Sequence, residues 1–252
     1  MTETTDFTPG NYRYVRGPFQ YSGGAAALPG YAIERVRFRT PVPIEAGFAA
    51  IEAHLNSMGR PLTSFCACEL RSPAPFTPEG FIAFNRIYVG TLERWGIFKD
   101  DDNPVARSNV CPEIDPPAEP CFEAFCYTVP IADGAPEQKS FVISGAGEAR
   151  GGEGSYEERT VRYGETTPDA MREKARHVLA AMESRLEALG ASWSDVSATQ
   201  AYTVHDIHSF LADEIVQRGA IPAGLTWYYA RPPVDVLDFE MDVRAVSVER
   251  VL

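Results

Sequence analysis

The chain repeats itself, and that constrains its fold more than any single motif does. Sliding the sequence by 117 positions places Phe122 over Phe239, Glu123 over Glu240 and Pro116 over Pro233 without a gap. Upstream of each matched stretch the same elements recur. "EAGFAAIEAHLNSMG" (45–59) and "EKARHVLAAMESRLEALG" (173–190) carry apolar residues at helical spacing, and each ends on a glycine, Gly59 and Gly190. That is the residue a helix favours where its closing turn goes left-handed. A loop and a strand-like run come after each. Second helices are expected over "EGFIAFNRIYVGTLERWGI" (79–97) and "HSFLADEIVQRGAI" (208–221). Residues 104–129 and 221–246 then read as paired hairpins. "YAIERVRFRT" and "SFVISGAGEA" supply an early strand to each half, and "ARGGEGSYEERT" (149–160) reads as an exposed loop. The expected organisation is two units, 1–132 and 133–252, with the boundary in "PIADGAPEQK". Chance likeness between two α/β stretches is the competing explanation.

Composition narrows the function. The 252 residues are 44% hydrophobic, enough for one large core or two modest ones. No stretch approaches the roughly 18 consecutive apolar residues of a membrane span, and the polar start resembles no signal peptide. The expectation is a soluble protein of the cytoplasm with no membrane partner. With 35 acidic and 23 basic side chains the net charge is −12, which repels a phosphate backbone and argues against a nucleic-acid partner. An anionic small molecule is repelled too, so its site needs a dedicated cation. The five cysteines, Cys66, Cys68, Cys111, Cys121 and Cys126, are odd in number and confined to the first half, a pattern of reduced thiols. Cys66 and Cys68 are expected on one face of a strand. Without a CxxC or His-rich partner motif they read as core residues, and no metal is expected.

Arg107 is the candidate cation. It lies on a strand with Val105 and Val110 as neighbours, and its repeat counterpart is Gly224. A solvated edge arginine is the plain alternative to a guanidinium that grips a carboxylate bidentately. Glu123 and Glu240 sit among apolar residues on strands. Exposed, each only solubilises; turned into a cleft, desolvation raises its pKa and suits it to acid–base work. Asp242 shares a face with Glu240. Asn85, in "FNRIY", is either a surface helical residue or an amide that orients substrate. Ser144-Gly145 offers a hydroxyl and a backbone N–H. Phe19, Tyr21, Trp227, Tyr228 and Tyr229 wall a pocket for a flat substrate, or belong to core or interface. His205 and His208 flank Asp206 but lack a third ligand, so a capped helix start is expected. No GxGxxG, P-loop, GxSxG or HExxH occurs.

These residues resemble the RidA (YjgF/YER057c/UK114) family of imine and enamine deaminases. In the second half "FVISGAGEA" is similar to its second strand and Ser-Gly. "ARHVLAAMESRLEALGASWSDVSATQAYTVHDIHSF" is similar to its long helix, the Asp-Val strand entry and the start of the next helix. "FEMDVRAV" resembles the closing strand. In the first half "GPFQYSGG" resembles the Gly-Pro-Tyr opening with Phe19 at the Tyr, "FNRIY" places Asn85, and "PVARSNV" places Arg107 at the carboxylate-binding arginine. The resemblance implies an α+β fold of two tandem chorismate-mutase-like units, each an antiparallel or mixed sheet with two helices on one face. It also implies sites shared between neighbouring units, and a homotrimer of two-unit chains. The implied activity is a cofactor-free hydrolytic deaminase of a carboxylate-bearing enamine or imine, similar to a two-unit branch acting on 2-aminomuconate-type intermediates of aromatic degradation. In that role Arg107 clamps the carboxylate, Asn85 and Ser144 orient the substrate, and Glu240 or Glu123 handles the proton. The second unit lacks the arginine, and in the first unit Cys121 takes the leading acidic position. The alternative is a small-acid binding or scaffold protein on the same fold.

Overall fold

Two Thr-Pro pairs start the two long helices. Thr77 accepts a hydrogen bond from the Gly80 N–H and Thr167 from that of Ala170, while Pro78 and Pro168 fill first positions that need no N–H donor. The computed structural model describes residues 3–132, 134, 138–246 and 248–252. The first half runs β1 (Thr4–Phe7), β2 (Tyr12–Val15), β3 (Gly24–Ala27), β4 (Tyr31–Pro43), α1 (Ile44–Ser57), β5 (Phe65–Arg71), α2 (Pro78–Arg94), β6 (Ala106–Pro112) and β7 (Cys121–Pro130). The second runs β8 (Phe141–Gly147), α3 (Tyr156–Arg159), α4 (Pro168–Ala188), β9 (Ala198–Tyr202), α5 (His208–Phe210), β10 (Leu225–Tyr228), β11 (Ala230–Arg231), β12 (Glu240–Ala245) and β13 (Val248–Val251).

The strands form two mixed sheets, ordered β11-β6-β5-β7-β4-β13 and β1-β2-β3-β8-β12-β9-β10. Their centres share one plan. β4-β7-β5-β6 and β8-β12-β9-β10 each join two antiparallel pairs to a terminal parallel one. Each sheet packs its helices on one face. Phe48, Ile51 and Leu55 of α1 and Tyr88, Val89 and Leu92 of α2 meet Phe65, Leu70, Phe122 and Phe125. Met171, Val178, Leu179 and Met182 of α4 meet Ile143, Ala201, Met241 and Val243. Between the sheets lies a third cluster that includes Tyr12, Ala25, Cys66, Ala106 and Cys126. Beside it is a charged interior in which Arg35 grips Glu69 at 2.6 and 2.9 Å.

The outer strands do not respect the chain's midpoint. β3 pairs with β8 of the second half, while β13 returns from the C-terminus to pair with β4. Part of the expected boundary segment, residues 133 and 135–137, lies outside the described residues.

Several local expectations need correction. β6 and β7 are not a hairpin: both flank β5, β6 parallel and β7 antiparallel to it. The second segment likewise separates β10 from β12, with β9 between them. Aligning the helix-closing glycines, Gly59 (φ +64°) with Gly190 (φ +70°), sets Cys68 over Thr199. Their neighbours in the parallel ladders are Arg107 and Leu225, so ladder position replaces Gly224 by Leu225 as the counterpart. The helix expected over 208–221 is shorter. α5 passes directly into a wide π turn, Leu211–Val216. The 149–160 loop contains a single helical turn, α3, closed by a Ser155–Glu158 capping box. Cys66 and Cys68 do not share a face. A register shift between Phe65 and Ala67 sends Cys66 to the inter-sheet cluster and Cys68 to the helix side. All five cysteines are free and buried.

Candidate active site

Arg107 is carried on β6 into the seam where β6 meets β8. Its own N–H donates to the Ser144 hydroxyl at 3.0 Å, and that hydroxyl donates on to the Ser22 carbonyl at 2.6 Å. One residue further, the Gly145 N–H donates to Ser108 Oγ at 3.1 Å. The seam is thus stitched by side chains where no strand ladder runs, and it joins the two halves. The polar atoms of Ser144 and the N–H of Gly145 are engaged in this stitching. They set the place of Arg107 and are not free donors to a ligand.

The Arg107 side chain is 2% exposed, and its Nη1 and Nη2 are buried without a hydrogen-bond acceptor. Aromatic rings surround the guanidinium carbon: Tyr88 at 4.8 Å, Tyr21 at 5.1 Å, Phe81 at 5.6 Å and Phe84 at 5.8 Å, measured to their centroids. Cation–π attraction of about 0.5–2 kcal/mol per ring offsets part of the cost of burying the charge. It leaves the in-plane N–H fork unused, and that fork is what recognises a carboxylate.

Helix α2 supplies three of the rings and an amide. Asn85 follows Phe81 by four residues and precedes Tyr88 by three, so all three share a helix face. It is fully buried. Its Nδ2 donates to the Phe81 carbonyl at 2.6 Å, while its Oδ1 has no partner. Tyr88 in turn meets Cys68 Sγ at 3.2 Å.

Glu240, the first residue of β12, lies at the seam beside Gly145, near enough to Arg107 to feel its charge. Its Oε1 occupies the space a Cβ would take at Gly145, which explains the glycine there. The carboxyl is 4% exposed, and its pKa is pushed well above the ordinary carboxylate range. Burial is the largest cause, and the charges of Asp242 and Glu148 add to it. Arg185 and Arg107 pull the other way. Tyr21, half-buried beside them, is also raised, by desolvation and by Glu240. Asp242 accepts from Gln200 and Tyr202, each at 2.8 Å, and its carboxyl is raised by burial and by Glu69.

A buried ion cluster anchors the start of β12. Glu148 accepts from the backbone N–H groups of Asp238 (2.7 Å) and Phe239 (3.2 Å), and Lys174 of α4 binds Glu148 at 3.2 Å and also Asp238. His205 lies 3.3 Å from Asp238, and Asp206 accepts from the His208 N–H two residues on, while the residue before α5, Ile207, makes no side-chain cap. Among the described residues no group of three or more His, Cys, Asp or Glu is arranged to hold a metal.

The remaining candidates lie elsewhere. Glu123 stands 3.9 Å from Arg37 and acts electrostatically on Arg71 and Tyr228, whereas Glu240 is the glutamate whose carboxyl feels the charge of Arg107. Phe19 stacks on the Arg86 guanidinium at 3.6 Å. Trp227 donates to the Thr203 carbonyl and packs against His208, and Tyr229 is 55% exposed. Tyr228 stacks on Tyr202.

The family model described as 2-aminomuconate deaminase CnbZ matches residues 4–250. A 2-amino-5-chloromuconate deaminase of Comamonas testosteroni is 52% identical over the full length of both chains. The chain belongs to the CnbZ family. Among solved structures, the YjgF gene product of E. coli aligns with 47% of this chain and 88% of its own, at 19% identity and a TM-score of 0.31. A cyanuric acid hydrolase aligns with 86% of this chain and 69% of its own, at 9% identity and a TM-score of 0.44.

In this CnbZ-family chain sequence reasoning missed two cations, the buried Lys174 and the half-buried Arg185. Both had a signal. Lys174 stands four residues after Ala170 and four before Val178, and Arg185 stands three after Met182, so each sits on or beside the apolar stripe of α4. A charge on such a stripe needs a partner inside the protein. No helix among the described residues is long and apolar enough to cross a membrane.

Proposed function

We propose that this chain is a hydrolytic deaminase of a 2-aminomuconate-type enamine. The observation that carries the reading is the Arg107 guanidinium, buried with an unused N–H fork, its charge felt by a carboxyl whose pKa burial raises. Arg107 takes the carboxylate next to the amino-bearing carbon. The free Oδ1 of Asn85 accepts a hydrogen bond from the substrate nitrogen. Glu240 in its acid form protonates the enamine carbon, giving an iminium whose carbon is already electrophilic. As carboxylate, Glu240 then takes a proton from attacking water, returns it to nitrogen, and recovers its own proton from the carbinol hydroxyl as the C–N bond breaks and the carbonyl forms. Ammonia leaves and a 2-oxo acid remains, so water is the only co-reactant and no cofactor has to be invoked. Ser144 acts as a positioning residue through the Arg107 backbone.

The shared strand plan supports descent of the halves, 1–132 and 133–252, from one RidA-like unit. On that view the working site is composite, with Arg107 from one half and Glu240 from the other. Three cytoplasmic chains then complete stacked rings of three, and light scattering at the mass of a dimer would reject this assembly.

The function is tested by incubating purified protein with 2-aminomuconate and measuring ammonia. Release that Arg107→Met abolishes in a folded protein supports the deaminase. A wild type that binds the acid yet releases no ammonia supports a binding module instead.

A further inference from the structure

β6 runs beside β5 without a register break from Ala106 to Val110, so its side chains alternate strictly. Ala106 and Val110 pack toward the other sheet. Arg107 and Asn109 therefore share the opposite face, with their Cα atoms about 6.6 Å apart. Asn109 is 3% exposed. Its Oδ1 accepts from the Ser72 hydroxyl at 2.9 Å, and the Ser72 N–H donates to the Val110 carbonyl at 2.9 Å, which ties Ser72 to β6. The amide is thus oriented through its oxygen, and its Nδ2 is left buried without an acceptor. An unmet donor in the interior is costly, so a ligand atom is its natural partner. The Glu240 carboxyl lies against the same stretch. Its Oε1 is 2.0 Å from the point where a Cβ would project from Gly145, and the Cα of Ser108, the residue between Arg107 and Asn109, is 3.4 Å from that point. Its charge reaches Arg107 and Cys111, which stand two residues before and two after Asn109.

In the reaction proposed above, the Arg107 fork, the Asn85 oxygen and the Glu240 carboxyl each have a task. The oxygen of the attacking water still lacks a donor. From the unmet amide donor beside the Glu240 carboxyl, we propose that Asn109 is a further catalytic residue, whose Nδ2 donates to the oxygen that adds to the iminium carbon. The water passes one proton to the Glu240 carboxylate as its oxygen bonds to carbon. Its second proton goes to Glu240 as the C–N bond breaks, and the hydrogen bond from Asn109 stays on the oxygen as it becomes a carbonyl. Asn109 itself transfers no proton. Ser72 is a positioning residue that acts through the amide oxygen. The assignment rests on the deaminase reading and assigns a residue to its water step alone.

The test measures ammonia release from 2-aminomuconate by the full-length protein, with and without hydroxylamine. Hydroxylamine attacks the iminium carbon in place of water, and an oxime forms as ammonia leaves. Asn109→Leu, of similar volume, is expected to lower kcat by about 100-fold while KM stays within about 3-fold, the pattern of a lost donor to the reacting oxygen. Asn109→Ala, which cannot clash, guards against a folding defect in the leucine variant and should lose at least about 10-fold. Hydroxylamine should restore ammonia release above the enzyme-free rate in both variants, because the iminium still forms. It should not restore Glu240→Gln, which cannot protonate the enamine carbon. Asn109 variants within about 3-fold of wild type overturn the proposal. So does a KM that rises in step with the loss of kcat, or a loss that hydroxylamine leaves unchanged, since either marks a merely structural amide. Those outcomes leave the deaminase reading standing, whereas a wild type that releases no ammonia sinks that reading and this inference with it.

Discussion

Glu240 Oε1 stands 2.0 Å from the point where a Cβ would project from Gly145. The two residues belong to neighbouring strands of one sheet, β12 and β8, so the carboxyl is seated on bare backbone and pressed toward Ser108 of the other sheet. Gly145→Ala therefore has to move the carboxyl, because the backbone of Ser108 closes the other side at 3.4 Å. The expected result is an overpacking cost of about 1–3 kcal/mol in urea unfolding, with a fall of about 100-fold in kcat for ammonia release. Unchanged turnover would show that the carboxyl's present seat is not its working one.

Glu240→Gln keeps the shape and removes the acid. Ammonia release should drop by about 100- to 10,000-fold. Stability should respond to pH with a defined sign. The folded-state pKa is raised, so the folded protein holds this proton more tightly than the unfolded chain. Wild-type stability accordingly falls as pH climbs above the unfolded carboxyl value of about 4.3 toward the folded one. The glutamine variant lacks that slope and gains on wild type as pH rises above about 4.3. Parallel unfolding curves for the two proteins across that range would refute the assignment.

Arg107→Met separates function from stability. A buried cation without a counter-ion is costly, and a methionine among Tyr21, Phe81, Phe84 and Tyr88 fills similar space. Stability should hold or rise by about 1–4 kcal/mol while ammonia release is lost. A strongly destabilised variant would show that the aromatic cage holds the guanidinium more firmly than this reading allows.

Lys174→Met should do the opposite. It strands Glu148 and Asp238 without their cation in the interior, at a cost of about 3–5 kcal/mol in chemical denaturation. Because Glu148 also holds the backbone at Asp238 and Phe239, kcat should fall with it. A variant as stable as wild type would mean that the cluster rearranges freely.

Glu123→Gln, Trp227→Ala and Tyr229→Phe serve as contrasts. None lies at Arg107, and each should leave kcat/KM for ammonia release within about 3-fold, as expected for changes worth under about 0.5 kcal/mol. A loss of 100-fold in the Glu123 variant would return the acid–base role to the first half.

Much of the architecture was legible because it is written in local patterns. Gly59 and Gly190 mark helix ends through their backbone freedom, and α1, α2 and α4 show their apolar stripes. Arg107 and Glu240 stand out as charges among apolar neighbours on strands. What stayed hidden depends on long-range pairing. No spacing along 104–129 tells that β6 and β7 lie on opposite sides of β5, so the hairpin expected there does not form. The bulge that separates Cys66 from Cys68 is likewise invisible to a strict two-residue alternation. Trp227 and Tyr229 suggest a pocket by composition alone, yet Trp227 binds the Thr203 carbonyl and packs on His208, and Tyr229 is exposed. The Ser144 hydroxyl is visible in sequence, but only the seam shows that it serves Arg107's backbone.

The exchange of β3 and β13 between the halves has a mechanical consequence. Each half lends an edge to the other's sheet, so the register between β6 and β8 is locked by two backbone ladders at some distance from the chemistry. The halves are laced together like the two sides of a boot, and the gap between Arg107 and Glu240 is the eyelet spacing. Separately expressed halves would each leave a sheet edge bare and would have to find one another before either could hold a substrate.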